Sequence, residues 1–187
     1  MTKKDGAIDL DKILEKLDPD ESDFISSLID KDPLTGVYNR RKFDRDIELV
    51  IAMSERTKKG SSLLIIDIDH FKDFNDKHGH QEGDRVLREV TETIRSSLRH
   101  YDMIHVYRYG GEEFVLLIHD MNTSDAYSMG DRIREEVKKS CGVTISIGIS
   151  HYKESSDNLQ SMIENADKAM YKAKRKGRDR VVIYKES

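Results

Sequence analysis

The chain is poor in cysteine, in long apolar stretches and in excess charge of either sign. Its single cysteine, Cys141, excludes an internal disulfide framework and fits a reducing compartment, where we expect the thiol to be a small buried apolar group. No apolar stretch approaches the roughly 20 residues that a membrane-spanning helix needs, and residues 1–5 lead into no apolar signal region. We therefore expect a cytoplasmic chain without a membrane segment.

Positive and negative charges nearly cancel, although 36% of the residues are charged and the formal net charge is −4. The sequence therefore has no global basic field that would predict binding to nucleic acid, and it is not acidic enough to be disordered. A polyanionic ligand would have to be met by local charges. The length of 187 residues suggests one domain with a real core plus a modest appendage.

The appendage is predicted to be the N-terminal segment 1–29. An apolar stripe with heptad-like spacing runs through it and is broken at Asp18-Pro19-Asp20, which predicts two short helices separated by a turn. Such a stripe fits a dimerising or signal-transmitting helix, and it equally fits a helix that packs on its own domain. The stripe consists of Leu10, Leu14, Leu17, Phe24 and Leu28.

Residues 30–187 are predicted to form the main domain. Helical and strand patterns alternate there without repeats or low-complexity tracts, which favours an α/β or α+β sandwich built around one sheet. A loop at 75–84 is expected to lead into an apolar helix. The other predicted helices are about 39–58, 124–139 and one ending at Gly177, and the predicted strands are about 63–67, 103–108, 114–118, 143–149 and 181–184.

Two acidic clusters suggest chemistry. Gly110-Gly111, between two strand patterns, predicts a tight hairpin turn that an anionic ligand can approach closely, and it is followed at once by Glu112 and Glu113. Taken alone, this is also the pattern of an ordinary surface hairpin. Together with a second acidic cluster upstream, the pattern instead indicates a turn that binds a phosphate and places an acid beside a metal ion.

The second cluster, Asp67 and Asp69, directly follows the apolar run 63–66. At a period of two, both side chains point to the same face of a strand that should be buried. A buried carboxylate needs a partner. The partner can be a divalent cation such as Mg²⁺ or Mn²⁺, or it can be a set of hydrogen-bond donors.

Five segments in order resemble the successive motifs of the GGDEF-domain diguanylate cyclases, over about residues 30–187. The third signature residue is Glu112, where the family name has Asp, and both residues supply a carboxylate. The resemblance implies a palm-like nucleotidyl cyclase fold with a central, mostly antiparallel sheet flanked by helices. The segments are Asp32–Arg41, Asp67–Asp76, Gly79-His80 with Gly83-Asp84, Arg108–Phe114 and Lys174–Arg178.

The reaction that the resemblance implies is the condensation of two GTP molecules into cyclic di-GMP with release of two pyrophosphates. Such a reaction needs positive charge around the attacking and the leaving oxygens. By resemblance, two Mg²⁺ or Mn²⁺ ions per active site are held by Asp67, Glu112 and the Ile68 carbonyl, with Glu113 beside them. Glu112 is also the implied acceptor of the 3′-hydroxyl proton, and Lys72 the implied stabiliser of the transition state.

The resemblance also implies which groups bind the substrate. Lys174 and Arg178 would reach the β- and γ-phosphates, and His70 and Phe71 would offer backbone amides, although Phe71 is equally suited to ordinary packing. The motif position of His80 matches a further substrate contact.

The guanine pair, Asn75 and Asp84, can also be argued from chemistry. Guanine presents donors beside an acceptor, so a site that selects it suits a carboxamide with a carboxylate. Without the resemblance, these two residues would be interpreted as a turn residue and a helix N-cap.

Partners and regulation follow from the same resemblance. Each site would hold one GTP, so two chains must face each other, and we expect a homodimer that binds neither nucleic acid nor membrane. Arg99 and Asp102 match an Arg-x-x-Asp site for product inhibition by cyclic di-GMP, but two extra residues separate them from Gly110. Two alternatives stay open: a catalytically silent module that binds GTP or cyclic di-GMP, and a cyclase or polymerase-like enzyme with another nucleotide product.

Overall fold

The structure, a computed structural model, describes residues 16–98, 104–152 and 159–185. It contains one six-stranded sheet with helices on both faces. The helices are α1 (Pro19–Asp30), α2 (Arg40–Thr57), α3 (Phe71–His78), α4 (His80–Ser97), α5 (Thr123–Ser140) and α6 (Leu159–Arg175). The strands are β1 (Tyr38–Asn39), β2 (Ser61–Ile68), β3 (Ile104–Gly110), β4 (Glu113–His119), β5 (Ile145–Tyr152) and β6 (Arg180–Ile183).

The strand order is β1-β3-β4-β2-β5-β6. The three inner pairings, β3 with β4, β4 with β2 and β2 with β5, are antiparallel, whereas the short outer strands β1 and β6 pair in parallel. The predicted fold class, a mostly antiparallel central sheet flanked by helices, is therefore confirmed.

Strand β2 lies in the middle of this sheet and is buried at all eight positions. Its side chains alternate between two hydrophobic cores, as the period of a strand requires. Leu64 and Ile66 pack with residues of α4 and α5, whereas Leu63 and Ile65 pack with residues of α2 and α6. Because both faces are covered, the middle of the strand, Leu63–Ile66, is a continuous apolar run.

The predicted loop at 75–84 is wrong. Residues on both sides of Gly79 are helical, and the connection is Gly79 alone, with φ of +86°. Asp84 therefore lies inside α4 and is not its N-cap; Gly79 takes that position without a side-chain cap. Helix α3 is short and mostly polar, so its sequence carries little of the apolar periodicity by which helices are recognised.

Of the two short helices predicted in segment 1–29, the described residues show only the second. The first of the two predicted helices falls largely outside them, and the second is α1, capped by the Asp18 carboxylate, which accepts from Glu21 N at 2.9 Å. Phe24 and Leu28 of the apolar stripe are 64% and 65% exposed. Cys141 is buried, as expected, and burial raises the pKa of its thiol. Within the described ranges, no helix is both long enough and apolar enough to cross a bilayer.

Candidate active site

The two acidic clusters meet at one end of the sheet. Asp67, at the end of β2, is the register partner of Glu113, the first residue of β4. The backbone N–H of Ile68 donates to the Glu112 carbonyl at 3.4 Å. Antiparallel pairing of β2 with β4 therefore brings the strand-end aspartate beside the acids of the hairpin, which are far away in sequence.

The hairpin turn is held in shape by a residue of β3. Gly111 has a φ of +40°, a conformation that L side chains rarely adopt. Arg108 donates to the Gly111 carbonyl from Nε at 3.0 Å and from Nη2 at 2.8 Å, and its Nη1 donates to Asp32 Oδ1 at 3.0 Å. Asp32 in turn accepts from the backbone N and hydroxyl of Thr35. The turn is thus clamped to the segment before β1.

Charge at the centre of the site is unbalanced toward the negative. Burial raises the pKa of Asp67, which is 4% exposed, and nearby Glu112 and Asp69 raise it further, while Lys174 opposes the shift. Lys174 Nζ lies 2.7 Å from Asp67 Oδ2. Burial also raises the pKa of Glu113, with Asp67 adding to it. The end of α6 therefore supplies an ammonium group that partly offsets the crowded carboxylates.

This charge pattern fits a divalent cation that arrives with a phosphate ligand. Among the described residues, no three acidic, histidine or cysteine side chains are grouped as a ready-made metal site. Mg²⁺, however, is commonly held by one or two carboxylates together with substrate phosphates and water. Asp67 with Glu112 and Glu113 provides the carboxylates for such a site, and their mutual repulsion favours additional positive charge.

Asp69 differs from Asp67 in its partners. Its carboxylate accepts from the hydroxyls of Ser146 and Thr144, both at 2.7 Å, and from the backbone N–H of Asp179 at 3.0 Å. The sequence left two possible partners for a buried carboxylate, a divalent cation or a set of hydrogen-bond donors. Asp69 is bound by hydrogen-bond donors.

A second candidate subsite lies where α3 meets α4. The Asn75 Oδ1 atom is buried and has no hydrogen-bond partner among the described residues. A Cβ at Gly83 would lie 1.8 Å from this oxygen, so α4 approaches Asn75 closely only because residue 83 is glycine. Asp84 follows Gly83 and is half-buried. The pair predicted to bind guanine is therefore brought to one helix junction.

The remaining predicted substrate residues lie on α3, on α4 and in the loop after α6. Lys72 is exposed in the first turn of α3 and His80 is exposed at the start of α4, whereas Arg178 is half-buried in the loop after α6. The Phe71 side chain is buried in the core, 6.5 Å between ring centroids from Phe74, as ordinary packing requires. The backbone amides that begin α3 are available for an anion, as at helix N-termini generally.

The family model described as "Diguanylate cyclase, GGDEF domain" matches residues 29–180. The chain belongs to this family. The GGDEF assignment from the sequence is thereby confirmed, and the site described above lies within the matched range.

Relatives agree with this assignment. Diguanylate cyclase A of Treponema denticola is 41% identical over 145 residues, which are 73% of this chain and 38% of that protein. The coiled coil and GGDEF domain of DgcB from Caulobacter crescentus, solved in complex with c-di-GMP, has a TM-score of 0.82 at 31% identity and covers 94% of this chain and 95% of that chain. An active GGEEF domain of a diguanylate cyclase from Vibrio cholerae has a TM-score of 0.73 at 31% identity, covering 80% of this chain and 98% of that chain.

Three structural roles in this GGDEF domain leave no signal in the sequence. Arg108 and Asp32 belong to two of the family motifs, and only their contact in the structure reveals the clamp. Gly83 is likewise known from the sequence only as part of a motif. The proposed inhibitory residues Arg99 and Asp102 lie outside the described ranges.

Proposed function

We propose that the chain is an active diguanylate cyclase that condenses two GTP molecules into cyclic di-GMP with release of two pyrophosphates. The observation that carries this proposal is the intact acidic centre, in which buried Asp67 pairs in register with Glu113 and lies close to Glu112. A module that only bound nucleotide would have no need of carboxylates crowded together at the end of a buried strand. The active GGEEF domain from Vibrio cholerae supports the same reading of Glu112.

The residues divide the chemistry between them. Asp67, Glu112 and the Ile68 carbonyl would hold Mg²⁺ or Mn²⁺, two ions per site, with Glu113 beside them. When bound, these ions would concentrate positive charge on the attacking and leaving oxygens. Glu112 would accept the proton of the 3′-hydroxyl of one GTP while the oxygen of that hydroxyl forms a bond to the α-phosphorus of the other GTP.

The leaving pyrophosphate would be met by other groups. As the bond from the α-phosphorus to the pyrophosphate oxygen breaks, Lys174 and Arg178 would balance the growing charge on the β- and γ-phosphates, and Lys72 would stabilise the transition state. The Gly110-Gly111 turn, which has no side chains, would let the triphosphate approach the backbone. Lys174 would exchange part of its contact with Asp67 for these phosphates.

Guanine selection would fall to Asn75 and Asp84, with His80 at the rim. The unpartnered Asn75 Oδ1 would accept from a donor on the guanine edge, and the Asp84 carboxylate would accept from another. Adenine presents a different pattern of hydrogen-bond donors and acceptors at these positions. The site would therefore favour GTP over ATP as substrate, and cyclic di-GMP over a mixed cyclic dinucleotide as product.

Ring closure requires a homodimer in which two GTP-loaded sites face each other. The exposed Phe24 and Leu28 of α1 suit a contact between the N-terminal helices of two chains, with residues 1–29 as the dimerising segment and 30–187 as the catalytic domain. The chain spans about two fifths of the length of the curated relatives it matches.

The test is to incubate the purified chain with GTP and Mg²⁺, follow pyrophosphate release and identify the nucleotide product by mass. Parent protein should give cyclic di-GMP with one pyrophosphate per GTP consumed. Glu112→Gln keeps the size of the side chain but removes its charge and basicity, so we expect a loss of at least about a hundredfold in rate.

Glu92→Gln on the exposed face of α4 is the matched control and should retain the parent rate. GTP binding by the parent without any product, even at concentrations that favour dimers, would support the silent module. A different cyclic or linear nucleotide would support the alternative enzyme.

A further inference from the structure

Asp69 is the second acid of the Asp67-Ile68-Asp69 segment, yet it is fully engaged away from the acidic centre. It is 5% exposed, and its Oδ1 accepts from Ser146 Oγ at 2.7 Å. Its Oδ2 accepts from Thr144 Oγ1 at 2.7 Å and from the backbone N of Asp179 at 3.0 Å. The carboxylate thereby ties the end of β2 to the segment before β5 and to the loop that follows α6.

That loop has an unusual backbone. Gly177, Arg178 and Asp179 have φ values of +105°, +61° and +44° in succession. For the two non-glycine residues this region is unfavourable, so the surrounding contacts must hold the loop in place. Arg178, which is assigned to the terminal phosphates, lies in the middle of it.

The loop is held from two sides. On one side, Asp69 accepts the Asp179 backbone N–H. On the other side, the Asp179 carboxylate accepts from Arg134 Nη1 at 2.8 Å and from Lys138 Nζ at 2.6 Å, both on α5. Asp179 is thus fixed through its main chain and its side chain, and its neighbour Arg178 is fixed with it.

We propose that Asp69 is a positioning residue, which orients Arg178 toward the terminal phosphates of the nucleotide while Asp67 serves the cation. The inference rests on the proposed function, since that function gives Arg178 its phosphate ligand. The two aspartates would thus have different roles: Asp67 faces the reacting groups, and Asp69 positions the loop that carries Arg178.

An asparagine at position 69 would weaken the hold on the loop at nearly constant volume, because the Asp179 N–H would donate to a neutral oxygen instead of a charged one. The hydroxyls of Thr144 and Ser146 can rotate and accept from the new amide group, whereas the Asp179 N–H can only donate. Asparagine has one acceptor oxygen where the carboxylate has two, so the amide cannot match all three donors in their present positions.

The experiment measures equilibrium binding of 3′-deoxy-GTP and 3′-deoxy-GMP, each with Mg²⁺, since neither ligand has the hydroxyl needed for bond formation. The proteins are the parent, Asp69→Asn, Arg178→Ala and the double variant. Asp69→Asn should weaken binding of the triphosphate about tenfold, the scale of one hydrogen bond to a charged group, and should leave the monophosphate unchanged. The double variant should bind the triphosphate as tightly as Arg178→Ala does, because Asp69 would act only through Arg178.

Ser146→Ala is the matched control, because it removes a donor to the same carboxylate without touching the loop, and it should keep the parent's preference for the triphosphate. Asp179→Asn weakens the contact of the loop with α5 and should also weaken binding of the triphosphate but not of the monophosphate. It replaces Asp69→Asn in the experiment if that variant folds poorly.

Equal losses for both ligands, or additive losses in the double variant, would overturn the positioning role while leaving the proposed function intact. Failure of the parent to bind the triphosphate would overturn both.

Discussion

At the scale of single residues, the shape of the proposed guanine subsite depends on the size of the side chains around Asn75. Asn75 Oδ1 is buried without a protein partner, and the neighbouring helix comes close to it only at Gly83. A buried acceptor without a partner costs free energy, which a ligand can recover by donating to it. The tight contact at Gly83 keeps the carboxamide in place for that purpose.

Gly83→Ala should therefore impair nucleotide binding. The new Cβ would lie 1.8 Å from Asn75 Oδ1 and 3.2 Å from Phe71 Cζ, so the carboxamide must move. We expect KM for GTP to rise about tenfold or more with a smaller change in kcat, on the scale of one lost hydrogen bond. Steady-state kinetics measure both constants.

Gly130→Ala is a fitting control, since its Cβ would lie 3.4 Å from the nearest atom in the middle of α5. There, alanine should leave KM unchanged and stabilise the fold by about 0.5–1 kcal/mol through helix propensity. An unchanged KM in Gly83→Ala would contradict the proposed role of Asn75.

At the scale of elements, the hairpin turn depends on a segment outside the hairpin. Asp32 precedes β1, and its contact with Arg108 links this segment to the Gly111 carbonyl. Burial acts to raise the pKa of Asp32, but hydrogen bonds from Thr35 and Arg108 outweigh burial and lower the pKa below 3.8. The clamp is thus strongest when Asp32 is ionised.

Asp32→Asn should lower the free energy of unfolding by about 1 kcal/mol at neutral pH, the scale of one charged hydrogen bond. Because the pKa is lower in the folded chain, the unfolded chain takes up its proton first as pH falls. The difference between parent and variant should therefore be full above about pH 4 and shrink as pH falls through the folded-state pKa. Urea unfolding across this range measures it.

Asp44→Asn, an exposed aspartate of α2, is the control and should follow the parent at every pH. A constant difference between parent and Asp32→Asn down to about pH 3 would show that ionisation of Asp32 does not contribute to the clamp.

Helix α6 delivers Lys174 to Asp67, and its distance from the sheet is set by Gly148 of β5. A Cβ at position 148 would lie 2.1 Å from the Ala166 carbonyl oxygen and 2.2 Å from Met170 N, both backbone atoms. Gly148→Ala should destabilise the fold by about 1–3 kcal/mol, as overpacking does, and should also lower activity by shifting Lys174. Thermal unfolding with an activity assay tests both; a fully stable, fully active variant would contradict this packing argument.

At the scale of the whole molecule, one chain supplies only half of the proposed reaction. Ring closure needs two facing sites, each with its own Glu112, so one inactive chain should disable its dimer. In an equal mixture of parent and Glu112→Gln chains, about a quarter of randomly formed dimers contain two parent chains.

Activity per parent chain should accordingly fall to about half when an equal amount of Glu112→Gln is added at a concentration where dimers prevail. Addition of Glu92→Gln instead should leave activity per chain unchanged. Unchanged activity after addition of Glu112→Gln would argue that each chain works without a second catalytic site.

The sequence by itself determined the family and the class of fold. The apolar run before Asp67 predicted the central strand, and Gly110-Gly111 predicted the hairpin, because strand burial and turn geometry are local requirements that leave local patterns. The acids follow directly on these elements, so their place at the site could be expected as well.

Only the tertiary structure decided which groups are partners. Asp69 was indistinguishable from Asp67 by pattern until residues of β5 and the loop after α6 were found around it. The same holds for Asp32 with Arg108 and for Gly83 with Asn75, since steric fit between separate elements leaves no periodic signal in the sequence. The segment 75–84 resembles a loop in sequence because it holds the end of a short polar helix and a one-residue connection. Local physics specifies the elements, whereas the contacts that tune the site arise from packing between them.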